Sequence, residues 1–306
     1  MFTLRANDST RRPTEDSSRD LQNDHLNSLV PDVRVDRRGF VAACLAAGFA
    51  VTAEPVLGQA IKTSMDGLEG GDVKIGDIPA YYAVPKSGGK RPVVLVVAEI
   101  WGLHEHIKDV VRRVAKDGYF AVANEPYFRI GELWKMEDIK QVMAGANQLS
   151  DEQAFSDLDA VVAWGDKNPR ANTGKLGITG FCRGGRMVWM YSAHQKRMDA
   201  GVAWYGGLGA TPPAMTQTPL DIVDQLNAPV LGLYGGADQG IPLEQVEKLR
   251  EALKKSKSQK ARQSEIHIYE GMPHGFNADY RPSYRKEAAE DGWKRMLAWF
   301  KKYSVA

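Results

Sequence analysis

Residues 92–98 read Pro-Val-Val-Leu-Val-Val-Ala, seven in a row without one polar side chain. A strand with one face in water alternates polar and apolar residues, so an unbroken run of this kind belongs to a strand covered on both faces. Helices must then lie on either side of it, and the flanking sequence supplies them. His106–Lys116 carries apolar residues at Ile107, Val110, Val111 and Val114, the spacing of one helix face. Phe120–Ala123 returns to strand, Gln153–Trp164 to helix, Lys175–Gly180 to strand, Gly185–Ala193 to helix and Ala200–Tyr205 to strand. Pro229–Tyr234 predicts a strand, Leu243–Lys255 a helix, Glu265–Tyr269 a strand and Tyr284–Lys302 a closing amphipathic helix. Asp72–Ile75 and Ala80–Val84, with Gly76-Asp77-Ile78-Pro79 between them, read as an opening β-hairpin. This alternation predicts an α/β chain with a mostly parallel central sheet and helices on both faces. No internal repeat or proline-rich linker divides it, so residues 61–306 read as one domain.

Residues 1–60 read as a leader. The first 34 are polar and lack a sustained apolar period, the composition of a disordered extension. Asp36-Arg37-Arg38-Gly39-Phe40-Val41 follows, and residues 41–53 carry no charge. This resembles a twin-arginine export signal, with small-residue cleavage sites at Val51-Thr52-Ala53 and at Gly58-Gln59-Ala60. Export to the periplasm is the expectation; if the leader is not functional, the protein stays cytoplasmic. Val41-Ala42-Ala43-Cys44 has the outline of a lipoprotein box, but it abuts the arginines with no apolar stretch before it. No apolar run approaches the roughly 20 residues that span a bilayer, so no membrane partner is expected for the mature form.

Charge and cysteine content narrow the function. The formal net charge is +2 and the basic residues are scattered, which gives no support to nucleic-acid or membrane-surface binding. The two cysteines, Cys44 and Cys182, cannot organise a disulfide framework. If Cys44 leaves with the leader, the mature chain holds one thiol.

In sheets of this kind, chemistry sits at the carboxyl ends of the strands. After Lys175–Gly180 comes Gly180-Phe181-Cys182-Arg183-Gly184 and then a helix. Gly-x-Cys-x-Gly at a strand-to-helix turn is a nucleophile elbow with Cys in place of the more usual Ser. The glycines admit a sharp turn, and the helix N-terminus favours the thiolate. After Pro229–Tyr234 comes Gly235-Gly236-Ala237-Asp238, and after Glu265–Tyr269 comes Gly271-Met272-Pro273-His274-Gly275. Asp238 alone suits a turn, and a lone His274 suits a satisfied polar role. Nucleophile, acid and histidine in that order, each just past a strand, match the chain order of an α/β-hydrolase triad.

The segments around Cys182, Asp238 and His274, with Glu99 after the first core strand, resemble the dienelactone hydrolase family of the α/β-hydrolase superfamily. The resemblance runs from about Gly71 to the C-terminus. It implies a Cys nucleophile, a Glu at position 99 that holds the resting thiol, and an oxyanion hole from the backbone N–H groups of Ile100 and Arg183. It also implies hydrolysis of an ester or lactone, with no cofactor. Family members acting on dienelactone carry an arginine four residues after the catalytic histidine; here that position is Ala278, with Arg281 nearby, and the loop 127–137 offers Arg129 alone. Trp101, Tyr127, Phe128, Trp134 and Tyr205 are candidate pocket walls, with Arg129 and Arg281 as candidate substrate contacts. His104-Glu105-His106 invites a metal, but no further ligand stands at a recognisable spacing, so none is expected. A general carboxylesterase or thioesterase on the same triad, and a catalytically silent binding protein on this fold, are the alternatives. The sequence leaves monomer or dimer open.

Overall fold

The computed structural model describes residues 61–209 and 212–306. The expected leader, with Arg37-Arg38, Cys44 and both cleavage sites, lies outside the described residues. No helix among the described residues is long and apolar enough to cross a membrane.

Among the described residues, eight strands form one sheet: β1 (Leu68–Ile75), β2 (Ile78–Pro85), β3 (Arg91–Val97), β4 (Phe120–Asn124), β5 (Ala171–Phe181), β6 (Ala200–Trp204), β7 (Val230–Gly235) and β8 (Glu265–Tyr269). Their spatial order is β1-β2-β4-β3-β5-β6-β7-β8. β1 and β2 form the antiparallel hairpin expected, and β2 joins β4 antiparallel; the other pairs are parallel. The apolar run in β3 lies at the centre, Val93–Val97 being buried throughout. Each such side chain withdrawn from water contributes about 1.5–3 kcal/mol before the entropy of ordering is subtracted.

Among the described residues, seven α-helices accompany the sheet: α1 (Glu105–Lys116), α2 (Ile139–Ala146), α3 (Asp151–Lys167), α4 (Arg183–His194), α5 (Leu243–Lys255), α6 (Gln259–Gln263) and α7 (Lys286–Lys302). α1 buries Ile107, Val110, Val111 and Val114 as its spacing predicts. α2 and α6 have no counterpart in the sequence reading. At eight and five residues they are too short to establish a period, and their starts are fixed by Asp138 and Ser258, whose side chains accept from backbone N–H groups.

Chain direction across the sheet decides where a site can form. From β3 the chain passes through α1 to β4 on one side, then returns to β5 on the other side of β3. The crossovers after β3 and β5 therefore leave in opposite directions and open a crevice at the carboxyl ends of these two strands. α4 starts in that crevice and is buried from Gly184 to Ser192. Its entry is tight: a Cβ at Gly184 would stand 2.3 Å from the Val97 carbonyl oxygen and 2.6 Å from that of Ala98. Both obstacles are backbone and cannot rotate away. Gly184→Ala is expected to lower the unfolding free energy by about 1–3 kcal/mol or more, read from chemical denaturation. An unchanged midpoint would show that helix and strand can separate at no cost.

Candidate active site

Cys182 occupies the junction of β5 and α4 with φ 55 and ψ −116, left-handed backbone that a residue with a Cβ rarely adopts. Its N–H donates to the Trp204 carbonyl oxygen at 3.0 Å, and its own carbonyl accepts from Arg186 N at 3.1 Å. These bonds hold the turn against its strain. The residue is buried, 3% exposed, and its side chain is carried at the N-terminus of α4, the positive end of the helix dipole.

Asp238 and His274 come from loops beyond the two strands at the far end of the sheet. Asp238 Oδ1 accepts from Gly240 N at 2.9 Å and Ile241 N at 3.2 Å, which fixes the carboxylate. Its Oδ2 lies 2.7 Å from His274 Nδ1, with both side chains buried. Burial alone would lower the imidazole pKa. The Asp238 charge, the charge of the Cys182 sulfur and hydrogen bonds to both outweigh it, lifting the pKa from an ordinary 6.5 to about 10. Asp238, His274 and Cys182 thus form one continuous chain of contacts. Tyr205, itself in left-handed backbone at φ 38, stands with its ring edge-on to the His274 ring, centroids 5.0 Å apart.

Across the crevice Glu99 follows β3, fully buried. Tyr280 donates a short hydrogen bond to its Oε2, and Arg281 reaches the same oxygen at 3.3 Å. Arg281 Nε also donates to the Tyr280 hydroxyl at 2.9 Å. Burial would raise the Glu99 pKa. The Arg281 charge, followed by His104, whose Nε2 lies 3.8 Å from Oε2, reverses this and holds the carboxyl well below the usual range. Burial lowers the pKa of His104 more than Glu99 raises it. Arg281, Tyr205 and Tyr127 all lie close enough to feel the charge on the Cys182 sulfur, which puts the Glu99 cluster and the Cys182 cluster in one site.

The loops after β3 and β4 are locked together by Glu125. Its two oxygens accept from Leu103 N at 2.8 Å and Tyr127 N at 2.9 Å. Gly102 makes this possible: its φ is +79, and a Cβ there would stand 2.3 Å from Glu125 Oε1. Tyr127 is thereby carried under Glu99, donating to its carbonyl oxygen at 3.4 Å. Ile100 is wholly buried beside Glu99 and Trp101 is half-buried. The Arg183 side chain turns to Asn147 Oδ1 and, at 3.4 Å, to Met215 Sδ. Arg129 is engaged elsewhere, in a two-pronged pair with Asp157 of α3 at 2.8 Å for each bond, and is stacked on Phe128.

Sequence reasoning passed over Tyr280, Glu125 and the role of the 104–106 segment. His104 and His106 are buried under the Tyr280 ring, while Glu105 pairs with Arg112. Two histidines flanking one acid at a helix start were the available signal; His104 faces Glu99, while the partner of His106, Asp279, lies far along the chain.

Residues 78–304 match the model of the dienelactone hydrolase family. A protein of Methylorubrum extorquens named "Putative carboxymethylenebutenolidase" is 48% identical over 288 residues, covering 92% of this chain and 98% of its own length. One of the same name from Escherichia coli K12 is 47% identical over 263 residues, covering 84% and 95%. The crystal structure of a "Putative Dienelactone Hydrolase" from Klebsiella pneumoniae superposes with a TM-score of 0.73 at 44% identity, covering 77% of this chain and 99% of that one. With a matching sheet and with similarity over most of its length, the chain belongs to the dienelactone hydrolase family and is a hydrolase of the α/β-hydrolase superfamily.

Proposed function

We propose that this hydrolase opens an ester or lactone through Cys182, with His274 as the proton carrier and Asp238 as its orienting acid. The observation that carries the reading is the unbroken buried line from Asp238 through His274 to Cys182 at a left-handed elbow, with the imidazole pKa lifted to about 10. Such an imidazole is protonated at neutral pH, and the partner that matches it is a thiolate.

In this mechanism the Cys182 sulfur attacks the acyl carbon. The carbonyl π pair moves onto oxygen, which the N–H groups of Ile100 and Arg183 stabilise; one such donor matters by about 2.7–4 kcal/mol. Collapse breaks the C–O bond, His274 gives its proton to the departing oxygen, and an acyl-thioester remains. Water then attacks, His274 takes its proton, and the acid product leaves as the thiolate returns. In a lactone the departing oxygen stays tethered to the acyl group. The relatives' shared name denotes action on a butenolide lactone, which favours an enol-lactone. Arg281 stands in for the arginine that Ala278 lacks: it reaches the site from three residues further on, within the field of the Cys182 sulfur. Its pairing with Glu99 also supports a role for that carboxylate in regulating access to the cation.

Cys182→Ala is expected to abolish hydrolysis of p-nitrophenyl acetate, dienelactone and a saturated lactone while circular dichroism and Tm stay native. Retained turnover on any of them would remove Cys182 from the mechanism.

The elevated His274 pKa carries a second prediction. A histidine whose folded pKa exceeds its unfolded one adds stability that is complete below about 6.5 and is lost as pH rises through about 10. Asp238→Asn removes the strongest of the raising influences, so the His274 pKa falls and this alkaline loss of stability shrinks. NMR titration of the ring nitrogens reads the change directly; an unmoved His274 pKa would mean that Asp238 does not set its protonation.

A further inference from the structure

Phe181 of β5 and Trp204 of β6 are register partners, so Cys182 and Tyr205 leave the sheet side by side. Both stand in left-handed backbone, with φ 55 and φ 38. The Cys182 N–H is bonded to the carbonyl oxygen of Trp204, the residue before Tyr205. Tyr205 is held in its conformation from several sides. Its N–H donates to the Leu233 carbonyl oxygen at 2.8 Å. Gly206 follows so close to α4 that a Cβ there would stand 2.4 Å from Arg186 N. The ring packs among Phe181, His274 and Phe276, at centroid distances of 6.3, 5.0 and 5.3 Å. Backbone of this kind persists only where the surroundings over-determine it, and it clusters at active sites.

The hydroxyl supplies a second, independent observation. Tyr127, Tyr191, Tyr234 and Tyr280 each form a hydrogen bond through the hydroxyl. Tyr205 is 0% exposed, yet its hydroxyl has no hydrogen-bond partner among the described residues. A buried donor without an acceptor is costly and uncommon. This one lies in the crevice, within the field of Glu99, Arg281 and the Cys182 sulfur. Burial, followed by the Glu99 charge, raises its pKa well above the ordinary 10, so the group keeps its proton and acts as a neutral donor. An oxygen on which negative charge develops is the atom such a donor fits.

We infer that the Tyr205 hydroxyl is a catalytic group, donating a hydrogen bond to the departing oxygen of the ester or lactone as the acyl C–O bond breaks. The inference rests on the Cys182 mechanism proposed above. Position decides which oxygen of the reacting group it serves. In that mechanism the carbonyl oxygen belongs to the N–H groups of Ile100 and Arg183. The departing oxygen must come to His274 for its proton, and the Tyr205 ring stands against the His274 ring. In the step, the electron pair of the C–O bond passes to the departing oxygen. Tyr205 shares its proton without losing it, and His274 supplies the proton that neutralises the alcohol or enol.

The test compares the full chain with Tyr205→Phe, and with Cys182→Ala in parallel, on p-nitrophenyl, phenyl and trifluoroethyl acetate, whose departing oxygens are progressively more basic. The quantity read is kcat/KM, which covers the steps up to formation of the acyl-enzyme. Tyr205→Phe is expected to lose about 10²-fold on trifluoroethyl acetate and far less on p-nitrophenyl acetate, whose departing oxygen needs little help. The fall of log kcat/KM with leaving-group basicity therefore steepens, which a merely structural role would not produce. An equal loss on all three esters, or no loss, overturns the inference and leaves Cys182 in place. Turnover that survives in Cys182→Ala removes the nucleophile, and the inference with it. Folding gives a readout free of activity. Tyr205→Phe keeps the ring and removes a hydroxyl that bonds nothing in the protein, so its Tm is expected to equal or exceed that of the unsubstituted chain. A lower Tm, or a variant that does not fold, would mean that the hydroxyl serves the fold, and overturns the inference as well.

Discussion

The active-site crevice depends on one crossing of backbone over backbone, where α4 leaves β5 against the end of β3. Gly180 and Gly184 let the two strands and the helix approach to a separation that no side chain would permit: a Cβ on Gly180 would meet the Gly184 carbonyl at 2.4 Å, and one on Gly184 the Val97 carbonyl at 2.3 Å. That closeness turns the chain sharply at Cys182 and places the sulfur at a helix N-terminus, beside the residues that end β3. Other site residues arrive on loops whose positions follow from the sheet. Asp238 leaves from the end of β7, His274 from the loop after β8, and Tyr205 from the end of β6.

Charge is arranged around this crossing in two buried groups that face each other. On one side Asp238 lifts the pKa of His274 against the cost of burial; on the other, Arg281 and His104 hold Glu99 ionised against the same cost. Each carboxylate has been taken out of water, and each is tolerable because a cation or a set of hydrogen-bond donors comes with it. Tyr280 links the second group to the histidines at the start of α1, and through Asp279 the same network continues to Arg113 and the first described residues. A contiguous polar seam therefore runs from the crevice to the edge of the domain between layers that are otherwise apolar.

Much of this could be read in the chain. The β3 run requires cover on both faces, and the periodicity of Ile107, Val110, Val111 and Val114 supplies a helix for one of them. Cys182, Asp238 and His274 are legible because each closely follows an apolar strand, where local sequence fixes position. Tyr280 is not, because its bond to Glu99 spans 181 residues and nothing local marks a tyrosine as a hydrogen-bond donor to a buried acid. Glu125 has the same obscurity: its partners are backbone N–H groups, which leave no trace in side-chain identity. Arg129 shows the opposite failure. It stands in a promising loop, but the partner it finds is Asp157 of α3.

With the nucleophile role proposed for Cys182, the left-handed backbone at residue 182 sets stability and chemistry against each other. Positive φ costs a residue with a Cβ on the order of 1–3 kcal/mol, and glycine would be relieved of it. Measured by folding alone, cysteine is a poor occupant of this position, and random change judged only by stability would drift away from it. In the proposed role, the residue is kept against that gradient only while turnover contributes to fitness. A lineage in which the reaction became dispensable should lose the sulfur early, well before the sheet, the crossing or the flanking glycines show any change.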